Sequence, residues 1–248
     1  MHIPTHRLRT LVLIFGMCSC AAAAHAQSES PLVADVAVGV DISINGNINS
    51  GAIGQLQGRT AAILPNPYGD VYGTGLLFRF GGGYVLNDEV SELRGVFTYQ
   101  SADANLVRLG DLGPSSLYGQ FDDHKTLSLD FGYRRYVPLD NGKVRLFGEA
   151  TVGIAFIDEI DVLLAAPEAN LVLDQTDFYD QTAAFTLGAS VGVLFPVASK
   201  VDLTAQLGLR RVSGLADVDQ LEGTGLNEIN DDSARLTFPI VIGARFRF

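Results

Sequence analysis

The sequence predicts an all-β fold, an eight-stranded antiparallel transmembrane up-and-down β-barrel, from three observations. Eight segments alternate apolar residues with polar or small ones, as strands do when one side faces lipid and the other a lumen. The connections between these segments are alternately short and long, an asymmetry typical of membrane-spanning barrels. The chain also begins with the pattern of an export signal.

The export signal is predicted at residues 1–26. Arg7 and Arg9 precede an apolar stretch, and Ala24-His25-Ala26 fits a small-x-small cleavage site. The stretch is short for a membrane-spanning helix, which needs about 20 apolar residues, and no later segment approaches that length. We therefore expect a cleaved signal peptide followed by one outer-membrane β-barrel domain at 27–248.

Charge and cysteine content narrow the possible partners. After residue 26, 15 of the 17 basic residues remain against 28 acidic ones, a formal net charge of −13. A chain this acidic is not expected to bind nucleic acid. Both cysteines, Cys18 and Cys20, lie in the signal, so the mature chain can form neither a disulfide nor a thiolate metal site. A lipoprotein cleaved before Cys20 is an alternative, but Met17-Cys18-Ser19 fits that cleavage site poorly.

Each candidate strand is defined by its apolar side. In chain order the strands are about 34–44, 73–84, 90–100, 125–137, 144–157, 183–195, 201–213 and 235–248. The first four carry on their apolar sides Val36, Val38, Val40, Ile42 and Ile44; Leu76, Phe78, Phe80 and Tyr84; Leu93, Gly95, Phe97 and Tyr99; and Leu127, Leu129, Phe131 and Tyr133. The next three carry Val144, Leu146, Ala150, Val152, Ile154 and Phe156; Phe185, Leu187, Ala189, Val191, Val193 and Phe195; and Val201, Leu203, Ala205, Leu207 and Leu209.

The last strand has the clearest alternation. Its apolar side comprises Leu236, Phe238, Ile240, Ile242, Ala244, Phe246 and Phe248, and its other side includes Arg235, Thr237, Arg245 and Arg247. No soluble surface requires such an apolar face, whereas the outside of a membrane barrel does.

The connections predict an orientation. Short turns are expected around Asn87-Asp88, Asp140-Asn141-Gly142 and Ala198-Ser199, and long loops at 45–72, 101–124, 158–182 and 214–233. Because the strand number is even, both termini lie at the short-turn end, which we expect in the periplasm. The long loops then face outward, and they hold 18 acidic residues against two basic ones, Arg59 and Arg108.

The opposite sides of the strands carry charges that predict a filled lumen. A barrel of about eight strands is only wide enough for its own side chains, and buried charges must be paired or wet. We expect an ion-pair network with trapped water that plugs the lumen rather than conducting. Its members would be Arg79, Arg94, Arg134, Arg145, Arg210, Arg245 and Arg247 with Asp41, Glu92, Asp130, Glu149 and Asp202.

The chain resembles the small outer-membrane β-barrel families typified by the OmpA transmembrane domain, the opacity-type porin family proteins and OmpW. The resemblance covers the whole mature chain and rests on the signal, the eight strands, the four long loops and the terminal Ala244-Arg-Phe-Arg-Phe248. It implies that the last strand, with Ile242, Phe246 and Phe248, is the signal read by the barrel assembly machinery. The absence of tryptophan is a departure, so any interfacial girdle must consist of Tyr and Phe.

Catalytic chemistry has one candidate, because His124 is the only histidine after residue 26. Triads are set by geometry rather than by sequence order. Residues near His124 in sequence that could complete one are Asp122, Asp123, Ser115, Ser116 and Ser128. The run Asp-Asp-His-Lys lacks the Ser-adjacent pattern of lipid A deacylases, which favours an exposed loop histidine. We therefore expect no catalytic residue and no enzymatic activity.

Metal and cofactor sites have weaker candidates. Asp158, Glu159 and Asp161, or Asp217, Asp219 and Glu222, offer oxygen ligands suited to Ca²⁺ or Mg²⁺, but neither set forms a 12-residue EF-hand loop. The pattern favours a solvated acidic surface that concentrates divalent cations near lipopolysaccharide, so we expect no specific metal site and no cofactor. Gly81-Gly82-Gly83 lacks the Lys-Ser/Thr of a phosphate loop, and we expect it to ease strand curvature.

The predicted function is that of an integral outer-membrane protein with a structural, envelope-integrity or surface-interaction role. Expected partners are outer-membrane lipid and lipopolysaccharide, the barrel assembly machinery and, at the acidic loops, divalent cations. Alternatives are a narrow pore for small or apolar solutes, a lipid-modifying enzyme, and a soluble lipocalin-like barrel with its apolar side inward. The apolar loop segments 162–166 and 170–173 fit either strand extension or a contact surface.

Overall fold

The computed structural model describes residues 30–86, 90–139, 144–217, 226, 229–230 and 233–248. These residues form seventeen strands, one short α-helix and a 3-10 turn at Pro167–Ala169. In chain order they are β1 (Leu32–Asn45), β2 (Asn47–Asn49), β3 (Ala52–Leu56), β4 (Arg59–Ile63), β5 (Asn66–Pro67), α1 (Tyr68–Tyr72), β6 (Thr74–Val85), β7 (Ser91–Ala102), β8 (Leu106–Leu112), β9 (Ser115–Phe121), β10 (His124–Pro138), β11 (Arg145–Ile157), β12 (Ile160–Ala166), β13 (Leu171–Asp180), β14 (Thr182–Ala198), β15 (Val201–Val212), β16 (Ala216–Asp217) and β17 (Arg235–Arg247).

Eight of these strands close into a barrel. Their order is β1-β17-β15-β14-β11-β10-β7-β6, and β1 completes the circle by pairing with both β17 and β6. All eight pairings are antiparallel. The predicted eight-stranded up-and-down barrel is therefore confirmed, and each predicted strand agrees with an observed one to within a few residues.

The alternation along each barrel strand separates an apolar outside from a charged inside. Phe131 is 61% exposed and Ile242 is 62% exposed, whereas the inward-facing Arg134 and Arg245 are buried. This orientation contradicts the lipocalin-like alternative, in which the apolar side would face inward. A continuous apolar belt around the barrel is compatible with lipid and not with water. Within the described ranges, no helix is long and apolar enough to cross a membrane.

The four long connections leave the barrel at the same end, where they form a second sheet that we call the cap sheet. Its strand order is β16-β13-β12-β9-β8-β4-β3, and a separate two-stranded pair joins β2 to β5. The connections predicted as loops therefore contain nine of the described strands. Several of these strands have only two to five residues, too few for an alternating pattern to identify them.

The cap sheet has its own hydrophobic core. In β9 and β12 every second residue is buried, including Leu117, Phe121, Val162 and Leu164. Residues 162–166 lie in β12 and residues 171–173 in β13, strands of a sheet separate from the barrel sheet, so these segments do not extend the barrel strands. Their role as a contact surface stays a prediction. This core positions the cap sheet over one end of the barrel, beside α1.

The opposite end carries the short connections. Of the predicted turns, Ala198-Ser199 lies at the end of β14 and leads directly into β15. The predicted turns at Asn87-Asp88 and Asp140-Asn141-Gly142 lie outside the described residues, as does the predicted signal at 1–26.

Candidate functional site

The lumen contains layers of ion pairs, beginning at the short-turn end. Asp202 is paired there with two arginines, Arg145 at 3.3 Å and Arg247 at 3.2 Å. Further into the barrel Arg245 pairs with Glu92, with 2.8 Å between Nη2 and Oε2, and both side chains are fully buried. Each carboxylate thus faces a guanidinium group from another strand.

Arg94 links this end of the lumen to its middle. It lies 3.5 Å from Glu92 and 3.4 Å from Glu149, and it also forms an ion pair with Asp35. The Tyr136 hydroxyl donates a hydrogen bond to Glu92. One guanidinium group therefore contacts three carboxylates, and it joins the Arg245–Glu92 pair to Glu149.

Ion pairs also occur in the middle of the lumen and nearer its cap end. Glu149 accepts a hydrogen bond from Nε of Arg134 at 2.7 Å, and Nη2 of Arg134 lies 2.7 Å from the same carboxylate oxygen. Asp130 is paired with Arg210 at 3.3 Å and accepts a hydrogen bond from the Thr186 hydroxyl. All five carboxylates predicted for the network have an arginine within 4 Å, the fifth pair being Asp41 with Arg235 at 3.9 Å.

Two close approaches explain why glycine occurs at 81 and 83. A Cβ at Gly81 would collide with the Asp35 carboxylate, and one at Gly83 would collide with the Glu92 carboxylate. These glycines therefore make room for the charged layers. The expectation that the triplet eases strand curvature stays a prediction.

Arg79 is the one predicted arginine with no ion pair among the described residues. It lines a lumen cavity of about 30 Å³ together with Asp130, Glu149, Gln206 and Arg210. A polar cavity of this size has room for about one water molecule. The trapped water remains a prediction.

Sequence reasoning missed two members of the network, Asp35 and Arg235. Asp35 shares the odd-numbered side of β1 with Asp41, and Arg235 shares the odd-numbered side of β17 with Arg245. The same alternation that identified Asp41 and Arg245 could have found both.

An aromatic cluster closes the barrel at the cap end. Tyr68 and Tyr72 of α1 are buried, with ring centroids 6.1 Å apart, and the guanidinium carbon of Arg235 lies 5.5 Å from the Tyr68 ring centroid. The Tyr72 hydroxyl donates to the carbonyl oxygen of Asp122 at 3.1 Å, and that of Tyr68 donates to the carbonyl oxygen of Ser233 at 3.0 Å. Burial, followed by the charge of Tyr68, raises the pKa of Tyr72 well above its ordinary value.

His124 belongs to this cluster, which corrects the expectation of an exposed loop histidine. Its ring is 2% exposed and lies edge-on to Tyr72 at 5.4 Å and to Tyr68 at 6.2 Å. Strand β10 begins at His124, so the residue has the same inward orientation as Ser128 and Asp130. Within the described part of the chain, its side-chain hydrogen bond is with Thr126 at 3.3 Å, not with a serine or a carboxylate.

An acidic cleft lies where the cap sheet meets the barrel rim. The cleft measures about 640 Å³ and is lined by Gln120, Phe121, Asp122, Asp123, Lys125, Asp158, Glu159 and Gln181. Nearby, partial burial and the charges of Asp177, Asp122 and Glu159 raise the pKa of Asp161 above its ordinary value.

Only one of the two acidic sets considered as metal sites lies wholly within the described residues. Across the described residues, no three His, Cys, Asp or Glu side chains are arranged to hold a metal ion, and this includes Asp158, Glu159 and Asp161. Asp219 and Glu222 of the second candidate set lie outside the described residues, as does the side chain of Asp217.

Comparison with known proteins finds similarity in structure but not in sequence. No protein-family model and no curated protein sequence match the chain. Neisserial surface protein A is 13% identical, with a TM-score of 0.43, 90% of this chain covered and 100% of the other. The attachment invasion locus protein of Yersinia pestis is 13% identical (TM-score 0.40, coverage 89% and 100%), and the outer membrane protease OmpT of Escherichia coli is 10% identical (TM-score 0.45, coverage 90% and 99%).

With identities and TM-scores this low, these similarities assign no function to the chain. The fold follows from the chain's own strand pairing, exposure and charge. It is a small transmembrane β-barrel with an apolar outside, a lumen filled with ion pairs, and a cap sheet at one end.

Proposed function

We propose that the protein is an integral outer-membrane protein with a plugged barrel, acting in envelope structure or in surface interactions through its cap sheet. The observation that carries this proposal is the series of ion pairs in the lumen, from Asp202 to Asp41, below an aromatic cluster. Removing one partner of a buried ion pair is energetically costly. The layers therefore favour a permanent plug over a path for ions.

The orientation in the proposal places the short turns and both termini in the periplasm and the acidic cap outside the cell. Two outward-facing cations, Lys125 and Arg211, occur at the cap end of the lipid-facing surface. They support contact with the phosphates of lipopolysaccharide, since cations on a lipid-facing surface are tolerated near the interface. Divalent cations at the acidic loops and recognition of β17 by the assembly machinery complete the set of proposed partners.

The proposal takes the protein to be non-enzymatic. The support is the packing of His124 between Tyr68 and Tyr72, where its ring contributes to closure of the barrel. Overexpression should leave the mass of lipid A unchanged. A modified lipid A that depends on His124 would overturn this part of the proposal.

Single-channel recording in planar bilayers tests the plug. The protein, shown to be folded by its heat-dependent shift on a gel, should give no reproducible conductance. Reproducible openings would instead favour the narrow pore. A variant in which Arg94, Arg134 and Glu149 are replaced by serine provides the comparison, because its lumen lacks three of the charged side chains.

A further inference from the structure

The lipid-facing surface carries very few charges, and their positions are informative. Among the described residues of the eight barrel strands, the outward-facing side chains with a formal charge are Lys125, Arg135 and Arg211. Lys125 and Arg211 lie at the cap end, whereas Arg135 lies three residues before the end of β10, at the short-turn end. Arg135 is exposed and has no ion pair with any described residue.

The surroundings of Arg135 are those of a headgroup region. Ser91 is its cross-strand neighbour on β7, and the Ser91 hydroxyl is hydrogen-bonded to the hydroxyl of Tyr133 at 2.8 Å. Tyr133 is two residues from Arg135 and therefore on the same outward side of β10. Tyrosine hydroxyls and arginines are typical of the membrane interface.

An apolar groove begins beside Arg135. The neighbour of Arg135 on β11 is Gly148, where an added Cβ would meet nothing within 4 Å. The groove has a volume of about 590 Å³, and the outward side chains lining it include Val137, Leu146, Val191, Leu207 and Ile240. The missing side chain at Gly148 thus leaves an open passage from the cation to the groove.

The groove runs from the rim toward the middle of the membrane. In register, Arg135 is followed by Gly148, Val191, Leu207 and Ile240 on successive strands. Gly148 is three residues from the short-turn end of β11, whereas Ile240 is seven residues from that end of β17. Four strand spacings of about 4.8 Å make this row about 19 Å long.

We propose that this surface binds a glycerophospholipid, with its phosphate on Arg135 and one acyl chain along the groove from Gly148 to Ile240. The charge of Arg135 matches the phosphate, and the apolar groove matches the chain. A lipid in the leaflet at the short-turn end has its phosphate at the rim and its acyl chains directed toward the middle of the membrane, which is also the direction of the groove. That leaflet is the periplasmic one in the orientation proposed above, but lipid binding does not depend on the lack of conductance.

The test is native mass spectrometry of the folded barrel in mild detergent, titrated with palmitoyl-oleoyl phosphatidylethanolamine. Arg135→Gln should weaken the first binding step about tenfold or more, because a hydrogen bond to a charged group is lost. Gly148→Ile should weaken it similarly by filling the groove, which has open space for the new side chain. Glycerophosphate, which has no acyl chain, should not bind detectably.

Two matched variants serve as controls. Arg59→Gln removes an exposed cation from the cap sheet, and Gly95→Ile fills another glycine position with nothing within 4 Å. Both should bind the lipid as the unaltered protein does, and heat-dependent gel mobility should confirm that all variants are folded. The proposal is wrong if either Arg135→Gln or Gly148→Ile retains the original affinity, or if the controls lose affinity equally.

Discussion

Glu149 illustrates at the scale of one residue how the lumen is held together. It accepts a hydrogen bond from Arg134 at 2.7 Å and lies 3.4 Å from Arg94, and all three side chains are buried. Buried ion pairs contribute little net stability compared with apolar residues, but loss of one partner leaves an uncompensated charge. The consequence of a substitution therefore depends on whether one partner or both are changed.

We predict that Glu149→Leu destabilises the barrel by about 3–5 kcal/mol, the usual effect of breaking a buried pair. Urea unfolding in lipid vesicles, followed by circular dichroism, measures the change. Additional replacement of Arg134 by Leu should recover part of the loss. The exposed pair of Arg108 and Asp111, 2.6 Å apart, provides the control: Asp111→Asn should cost about 1 kcal/mol or less. Equal losses in Glu149→Leu and Asp111→Asn would contradict the prediction.

Asp161 gives a second prediction at this scale. Its raised pKa means that the ionised carboxylate is disfavoured in the folded cap sheet. Asp161→Asn should therefore stabilise β12 at pH 7, and the gain should shrink as pH falls and vanish below the unfolded value of about 3.9. Hydrogen-exchange protection of β12 amides at several pH values measures this, with Asp161→Glu as the charge-retaining control. A gain that persists unchanged at pH 3 would rule out the electrostatic cause.

At the scale of elements, the cap sheet has a hydrophobic core that is made mainly of its own residues. Leu117 of β9 is fully buried in that core, with Phe121 and Phe178. The barrel strands gain their stability differently, because each pairs with two neighbours and no edge is left. A substitution in the cap core should therefore destabilise the cap sheet without destabilising the barrel.

We predict that Leu117→Ala destabilises the cap sheet by about 2–5 kcal/mol, the usual cost of such a cavity. Amides of β9 and β12 should exchange faster, while those of β11 and β14 keep their protection. Hydrogen exchange read by mass spectrometry distinguishes the two sets. Ile53→Ala, at a position 76% exposed in the same sheet, should have little effect. Loss of barrel protection in Leu117→Ala would show that the two parts unfold together.

At the scale of the whole molecule, the two ends of the barrel differ in structure and in charge. The cap end carries the long, acidic connections, and the other end carries short turns. The absence of cysteine after residue 20 makes the orientation accessible to experiment, because a thiol introduced into the barrel or the cap sheet is the only one in that part of the sequence.

We predict that Ile53→Cys on the cap sheet reacts with a membrane-impermeant maleimide in intact cells. Ser199→Cys, exposed in a short turn at the opposite end, should react only after the outer membrane is permeabilised. Comparing labelling before and after permeabilisation measures both. The reverse pattern would place the cap sheet in the periplasm and would contradict the proposed orientation.

The sequence by itself determined the barrel, because a strand that faces lipid on one side and a charged lumen on the other alternates over its full length. Val201–Val212 and Arg235–Arg247 were therefore predictable nearly to the residue. The alternation also identified which charges face the lumen, including Glu92 and Arg245. It could not identify their partners, since pairing depends on which strands are opposite across the lumen.

Only the tertiary structure decided the cap. Strands such as Ala52–Leu56 and Arg59–Ile63 are short, and the pairing of Arg59–Ile63 with β8 brings together segments distant in the chain. The position of His124 was decided in the same way, because α1 supplies Tyr68 and Tyr72 from another connection. Local periodicity carries no information about such contacts, whereas it fully specifies a long strand between lipid and lumen.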